Sequence, residues 1–162
     1  MNIIEINFQN FEDAAGLAAD FRVVLNSYKG IVSNPNLQAA KEELQEYLDA
    51  GFPVFAAEEN GRLVGYLVCR VEEPCVWVEA IYVTQEARSR GIASALLAKA
   101  EEIAAVYGEE TVFNYVHPNN HGMIRFLRKH GYTVLNLIEI RKPYQGENLS
   151  QTISVGSEIF DY

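Results

Sequence analysis

Two cysteines, one tryptophan and three histidines in 162 residues leave little material for covalent staples or metal ligation. With only Cys69 and Cys75 the chain has no disulfide framework, so both are expected as free thiols in a reducing compartment. His117, His121 and His130 are scattered without ligand spacing, and no metal is expected. Basic residues are scarce: 13 Lys and Arg face 22 Asp and Glu, a formal net charge of -9. Such a field repels phosphate backbones, which argues against a nucleic-acid partner; simple solubility accounts for the acidity. No apolar run reaches the length of a membrane span, and "MNIIEINFQNFEDAAG" carries acids where a signal peptide carries bases. No membrane partner and a cytoplasmic location are the expectations. Internal repeats and low-complexity tracts are also missing, so residues 1–162 are expected as one domain.

What is present is an ordinary globular mixture, 49% hydrophobic and 22% charged. "NIIEINF" reads as a first strand, and Ala14, Leu17, Ala18, Phe21, Leu25 and Tyr28 recur at helical spacing. A second helix follows the start signals in "SNPN", with Leu37, Ala40, Leu44, Tyr47 and Leu48 on its apolar stripe and Gly51 as its stop. Glu42, Glu43, Glu46 and Asp49 are assigned to its wet side. "FPVFAAEE", the turn pair Asn60-Gly61 and "RLVGYLVCRV" give a hairpin, and "CVWVEAIYV" adds a third antiparallel strand. Beyond it come a helix from Arg90 or Gly91 to about Tyr107, a strand in "TVFNYVHP", a helix in "NNHGMIRFLRKHG" and a strand in "YTVLNLIEIRK". Ile92, Leu96, Leu97, Ile103 and Val106 are assigned to the apolar face of the first of these helices. "TISVGSEIF" reads as a final strand. This order predicts an α+β fold: a twisted, mixed but mostly antiparallel sheet of six to seven strands flanked by about four helices.

The stretch "QEARSRGIASALLAKAEE" sets Arg88, Arg90, Gly91 and Ala93 where a helix begins. Unpaired amides and the positive end of the helix dipole suit that place to an anion, especially phosphate, although an ordinary helix start with solvated arginines has the same composition. Neither G-x-G-x-x-G nor G-K-[ST] is present. The longer run "VEAIYVTQEARSRGIASALLAKAEEIA" resembles motif A of the GNAT superfamily of acyl-CoA-dependent N-acetyltransferases, with Arg88, Gly91 and Ala93 on the three defined positions of [RQ]-x-x-G-x-[GA]. "VHPNNHGMIRFLRKHGY" is similar to the family's motif B through Asn120, Gly131 and Tyr132. The resemblance implies acetyl-CoA as cosubstrate, lying where the strand of residues 76–83 and that of 111–117 splay apart. Its pantetheine arm would pair with the backbone of Ile81, Tyr82 and Val83. Its pyrophosphate would sit on Arg88, Ser89, Arg90, Gly91, Ile92, Ala93 and Ser94, and Asn120 would touch it from the other side. A small-molecule or peptide amine is the implied acceptor, and a homodimer through late strands the implied assembly.

Direct attack by an amine on the thioester, as in the family, raises a protonation problem. A lysine-type amine with a pKa of about 10.4 is neutral only about once in a thousand at pH 7. Glu79, an acid inside "VWVEAIYV", is the candidate base; alternation sets it on one face with Trp77, Ile81 and Val83, and a solvent-facing role suits it equally. Tyr115 and His117 share a face of the next strand by the same alternation and compete for proton transfer. Relatives usually carry a tyrosine, the acid for the leaving thiolate, four residues before the glycine of motif B. Here that position is Leu127. Either Tyr115, His117 or water supplies the proton, or the fold binds CoA with weak or lost catalysis. Acidic side chains of the second helix, if turned inward, would favour a cationic acceptor.

Overall fold

The computed structural model describes all residues 1–162, which fall into two units, Met1–Tyr115 and Val116–Tyr162. In the first, Asn60 and Gly61 take φ of 51° and 73°, the pair of left-handed residues that a two-residue hairpin requires. Around them β2 (Val54–Glu59) and β3 (Arg62–Glu72) pair antiparallel. β1 (Asn2–Ile6) joins the outer side of β2, and β4 (Cys75–Val83) returns along β3. A parallel β5 (Phe113–Asn114) completes the order β1-β2-β3-β4-β5.

Helices cover both faces of this sheet. α1 (Phe11–Tyr28) and α2 (Leu37–Asp49) pack on Ile6, Val54, Ala56, Tyr66, Val68 and Ala80. The inward positions of α1 include Ala14, Ala15, Ala18 and Ala19, small enough to let the helix lie close to the strands. The Asn36 side chain caps α2 by accepting from the Ala39 amide at 3.0 Å. On the opposite face α3 (Ile92–Val106) buries Ile92, Leu96, Leu97, Ala100 and Ala104. This stripe advances by four residues and drifts around the helix, so Val106, expected inside, is 82% exposed. No helix is long and apolar enough to cross a membrane.

One irregularity in β4 governs the rest of the sheet. Val68 pairs with Ala80 but Cys69 pairs with Val78, leaving Glu79 as the extra residue of a β-bulge. The alternation therefore changes phase there. Ile81 and Val83 lie with Leu67 and Gly65, whereas Trp77 lies opposite Arg70 on the other face. The single face expected for Trp77, Glu79, Ile81 and Val83 is thus divided in two. β5 stops for the same reason: Trp77 pairs with Phe113 and Val78 with Asn114, and the next pair would fall on the bulge. The strand expected over 111–118 is two residues long, so Tyr115 and His117 share no strand face.

In the second unit α4 (His121–Lys129) begins at Asn120, whose side chain accepts from the Met123 amide at 3.0 Å. Gly131, at φ 88°, ends it. The final strand expected in "TISVGSEIF" is a hairpin, β6 (Thr152–Val155) and β7 (Glu158–Asp161), turning at Gly156. These two strands form their own sheet, so in place of one sheet of six to seven strands there is a five-stranded sheet and a separate two-stranded one. Residues 132–142 form no strand, contrary to expectation, and Val134, Leu135, Leu137 and Ile140 are exposed. Their apolar side chains fall on both parities, a pattern that suits a strand covered on both faces, and no ladder is offered to this segment. The following loop is tied by an Arg141–Glu147 ion pair at 2.6 Å.

Candidate active site

Past the bulge, the outer edge of β4 from Glu79 to Val83 has no strand beside it, because β5 pairs only with Trp77 and Val78. The ladder thus ends where the two strands were expected to splay, the second strand stopping at Asn114. Apart from the Val83 carbonyl, to which Arg88 donates, extended backbone with no strand beside it is available there to an extended ligand. The chain then leaves the sheet through Thr84, whose amide donates to the Val64 carbonyl at 2.9 Å, and a single 3-10 turn, Gln85–Ala87.

Ser89 and Gly91 both enter the left-handed region, with φ of 61° and 83°. Gly91 is the residue from which α3 springs, and the space where its Cβ would stand is open. No backbone carbonyl receives the amides of residues 89–93. Several N–H groups therefore converge at the positive end of a fifteen-residue helix, a cradle for an anion. Ile92 is buried beneath it, and Ala93 and Ser94 are half-buried in the first turn. The arginines do less than their sequence position suggests. Arg88 turns back to donate from Nε to the Val83 carbonyl at 3.1 Å and lies 5.9 Å over the Tyr82 ring. Arg90 is paired with Glu59 at 2.7 Å. Both brace the loop, and the main chain makes the cradle.

A residue that sequence reasoning missed holds the two ends of this region together. A Cβ on Gly65 would stand 2.8 Å from the Tyr82 carbonyl oxygen and 3.1 Å from the Val83 side chain. Only glycine lets β3 approach the end of β4 so closely. A glycine interrupting the apolar run "RLVGYLV" was the available signal.

Glu79, Tyr115 and Arg70 come together beside the bulge. Arg70 donates to Glu72 at 2.6 Å, and its Nε is 3.4 Å from a Glu79 carboxylate oxygen. Its guanidinium also lies 4.6 Å over the Trp77 ring, which packs on Phe113. Burial alone would lower the guanidinium's pKa; Glu72, the Tyr115 hydroxyl and Glu79 outweigh it and raise the value. The Tyr47 hydroxyl on α2 is pushed up first by burial and then by the Glu79 charge, against the opposing effect of Arg22. Of the acids of α2, Glu42 and Glu46 are exposed, and Glu43 is taken by Arg22 and the Tyr47 hydroxyl. This leaves no uncompensated inward acid on α2 to select a cationic acceptor.

The other named residues belong to the second unit. His117 accepts the Asn119 amide on Nδ1 at 3.1 Å, which assigns the proton of the neutral ring to Nε2, and it lies 6.5 Å from the Tyr162 ring. Asn120 caps α4, and Leu127 is buried in that unit.

The acetyltransferase (GNAT) family model matches residues 21–132. The chain belongs to this family. Over 89 residues it is 33% identical to an uncharacterized N-acetyltransferase of Methanocaldococcus jannaschii, a match spanning 48% of this chain and 38% of that relative. The fold is similar to that of the aminoglycoside N-acetyltransferase AAC(6')-Iy solved with a CoA-based bisubstrate analogue, at 19% identity, covering 88% of this chain and 97% of that one with a TM-score of 0.68. A ribosomal-protein-alanine N-acetyltransferase from Brucella melitensis gives a TM-score of 0.68 at 20% identity, covering 89% and 100% of the two chains. The mixed α+β architecture is thus that of the GNAT acetyltransferases, as the two motifs implied.

Proposed function

We propose that this GNAT protein transfers the acetyl group of acetyl-CoA directly to a primary amine, without a covalent acyl-enzyme. The observation that carries the reading is the run of backbone with no strand beside it, from the Glu79 bulge along the outer edge of β4 into the open, left-handed turn at Gly91. It fits a ligand with an amide-bearing arm and a diphosphate. Ile81, Tyr82 and Val83 would hold the arm by main-chain hydrogen bonds, and residues 88–94 would hold the diphosphate on their amides. Asn120 is assigned to the same ligand on the strength of motif B. When bound, acetyl-CoA supplies an activated thioester carbon and a thiolate leaving group.

The protein's own tasks are to orient the amine, remove its proton and donate N–H groups to a developing negative oxygen. Glu79 is the proposed base; it juts from β4 at the bulge with its side chain a third exposed. The β4 amides beside it are the proposed donors to that oxygen. Tyr115 and His117 are the proposed sources of the proton returned to sulfur. Calorimetry with CoA and acetyl-CoA, followed by thiol release on an amine panel, tests the assignment; no saturation at millimolar ligand overturns it. The panel includes aminoglycosides and peptide N-termini, because the related folds include an aminoglycoside and a ribosomal-protein-alanine acetyltransferase. Tyr115→Phe and His117→Ala variants with unchanged rates across pH remove both from the proton path.

A second reading, a CoA-binding module with weak or lost catalysis, is favoured by Leu127 alone, a buried aliphatic side chain where relatives have a tyrosine acid. Binding with no turnover on the panel decides for it.

A further inference from the structure

Arg70 occupies an unusual position for a charged side chain. It sits inside β3 with its side chain 24% exposed, and its Nε is buried without a hydrogen-bond acceptor, 3.4 Å from Glu79. Glu72, two residues along the same strand, is a sufficient partner for the charge. A merely solvated arginine would stay with Glu72 and turn its remaining nitrogens to water. Instead the guanidinium lies 4.6 Å over the Trp77 ring and reaches an acid on β4. Glu79 and Tyr115 flank the point where the β4–β5 ladder ends.

We propose that Arg70 is the positioning residue of the transfer: its ion pair holds the Glu79 carboxylate at the open end of the β4–β5 ladder. The inference rests on the acetyl-transfer reading given above. In the step it serves, the amine nitrogen forms a bond to the acetyl carbon and the carbon–sulfur bond breaks. The amine proton passes to the Glu79 carboxylate, and the Tyr115 proton passes to the departing thiolate. Before the step the cluster holds a carboxylate, a guanidinium and a neutral phenol; after it, a carboxylic acid, a guanidinium and a phenolate. The net charge is unchanged. Arg70 stays protonated throughout and so fixes the carboxylate that receives the amine proton. The proton on Glu79 then returns to Tyr115 through solvent, to which the 61% exposed tyrosine is open.

The test is a set of Arg70→Gln, Arg70→Lys, Glu79→Gln and Tyr115→Phe variants, with kcat and KM measured on the best amine of the panel and acetyl-CoA affinity measured by calorimetry. Arg70→Gln is expected to lower kcat at least thirtyfold (about 2 kcal/mol at 1.4 kcal/mol per tenfold) while acetyl-CoA affinity changes by less than threefold. Arg70→Lys, which keeps the charge but not the planar fork, is expected to recover part of the loss. Adding Arg70→Gln to Glu79→Gln is expected to cost little more than the worse single change, because the two act as one unit. Losses that multiply, an unchanged kcat in Arg70→Gln, or a fall in acetyl-CoA affinity that matches the fall in rate overturns the role of Arg70 and leaves the transfer reading intact. A wild type that binds acetyl-CoA and acetylates nothing overturns both.

Discussion

A Cβ at position 65 has nowhere to go: the nearest obstacle, at 2.8 Å, is the Tyr82 main-chain oxygen, which cannot swing aside as a side-chain tip could. Gly65→Ala is expected to push the end of β4 from β3, destabilising the protein by about 1–3 kcal/mol, the usual cost of overpacking. Urea denaturation reads that loss, and a raised KM for acetyl-CoA reads the displaced strand edge; an unchanged KM detaches Gly65 from the site. Another single-residue test uses acid. Glu147 is held at about 2, chiefly by its hydrogen bonds from Arg141 and then by the Tyr144 amide, against an ordinary 4.5. A depressed folded value means that the ionised carboxylate favours the folded loop, so its contribution is complete above about 4.5 and is lost as pH falls through about 2. Titration of the Glu147 carboxyl by NMR should show the low midpoint, and Arg141→Gln should return it toward 4.5. At this scale the start of α3 at Gly91 was legible in the sequence, because the polar, basic run gives way there to a helical apolar pattern. Arg70 and Gly65 were not: their importance depends on which residue stands opposite on the next strand.

Among the elements, the α4 cap separates two roles of one side chain. Asn120 accepts the Met123 amide, and aspartate there would keep the cap while adding the negative charge that the proposed contact with acetyl-CoA would not tolerate. Asn120→Ala is expected to cost about 1 kcal/mol in thermal or chemical denaturation. Asn120→Asp should match the wild type in stability and lose acetyl-CoA affinity; equal affinity leaves Asn120 a cap alone. The helices and the β2-β3-β4 meander were legible because their periodicities and turn residues are local. The departures have a common origin in partners that a sequence window does not display. β5 is short because a bulge on its neighbour ends the ladder, and residues 132–142 stay irregular because no strand lies alongside them. The phase change at Glu79 was hidden likewise, since an extra residue in a strand shows only against its partner's register.

For the molecule as a whole, charge and thiols give the clearest expectations. A net charge of -9 repels a polyanionic ligand over distances that salt screens, whereas the amides of the cradle act at contact. The association rate of acetyl-CoA is therefore expected to rise with ionic strength in stopped-flow measurements, and a falling rate would indicate that side-chain cations do the attracting. Of the two free thiols, Cys69 is fully buried and its pKa is pushed up to about 12 by that burial, while Cys75 is half-buried near the start of β4. A chromogenic thiol reagent should titrate one group in the native protein and two after unfolding. Trp77 makes several of these experiments possible without a label. It is the chain's sole indole and lies between the Arg70 guanidinium and the Phe113 ring, where the β4–β5 ladder ends. Excitation selective for tryptophan therefore interrogates that one spot, and the quantum yield and emission maximum become an intrinsic optical gauge of whatever enters the cleft.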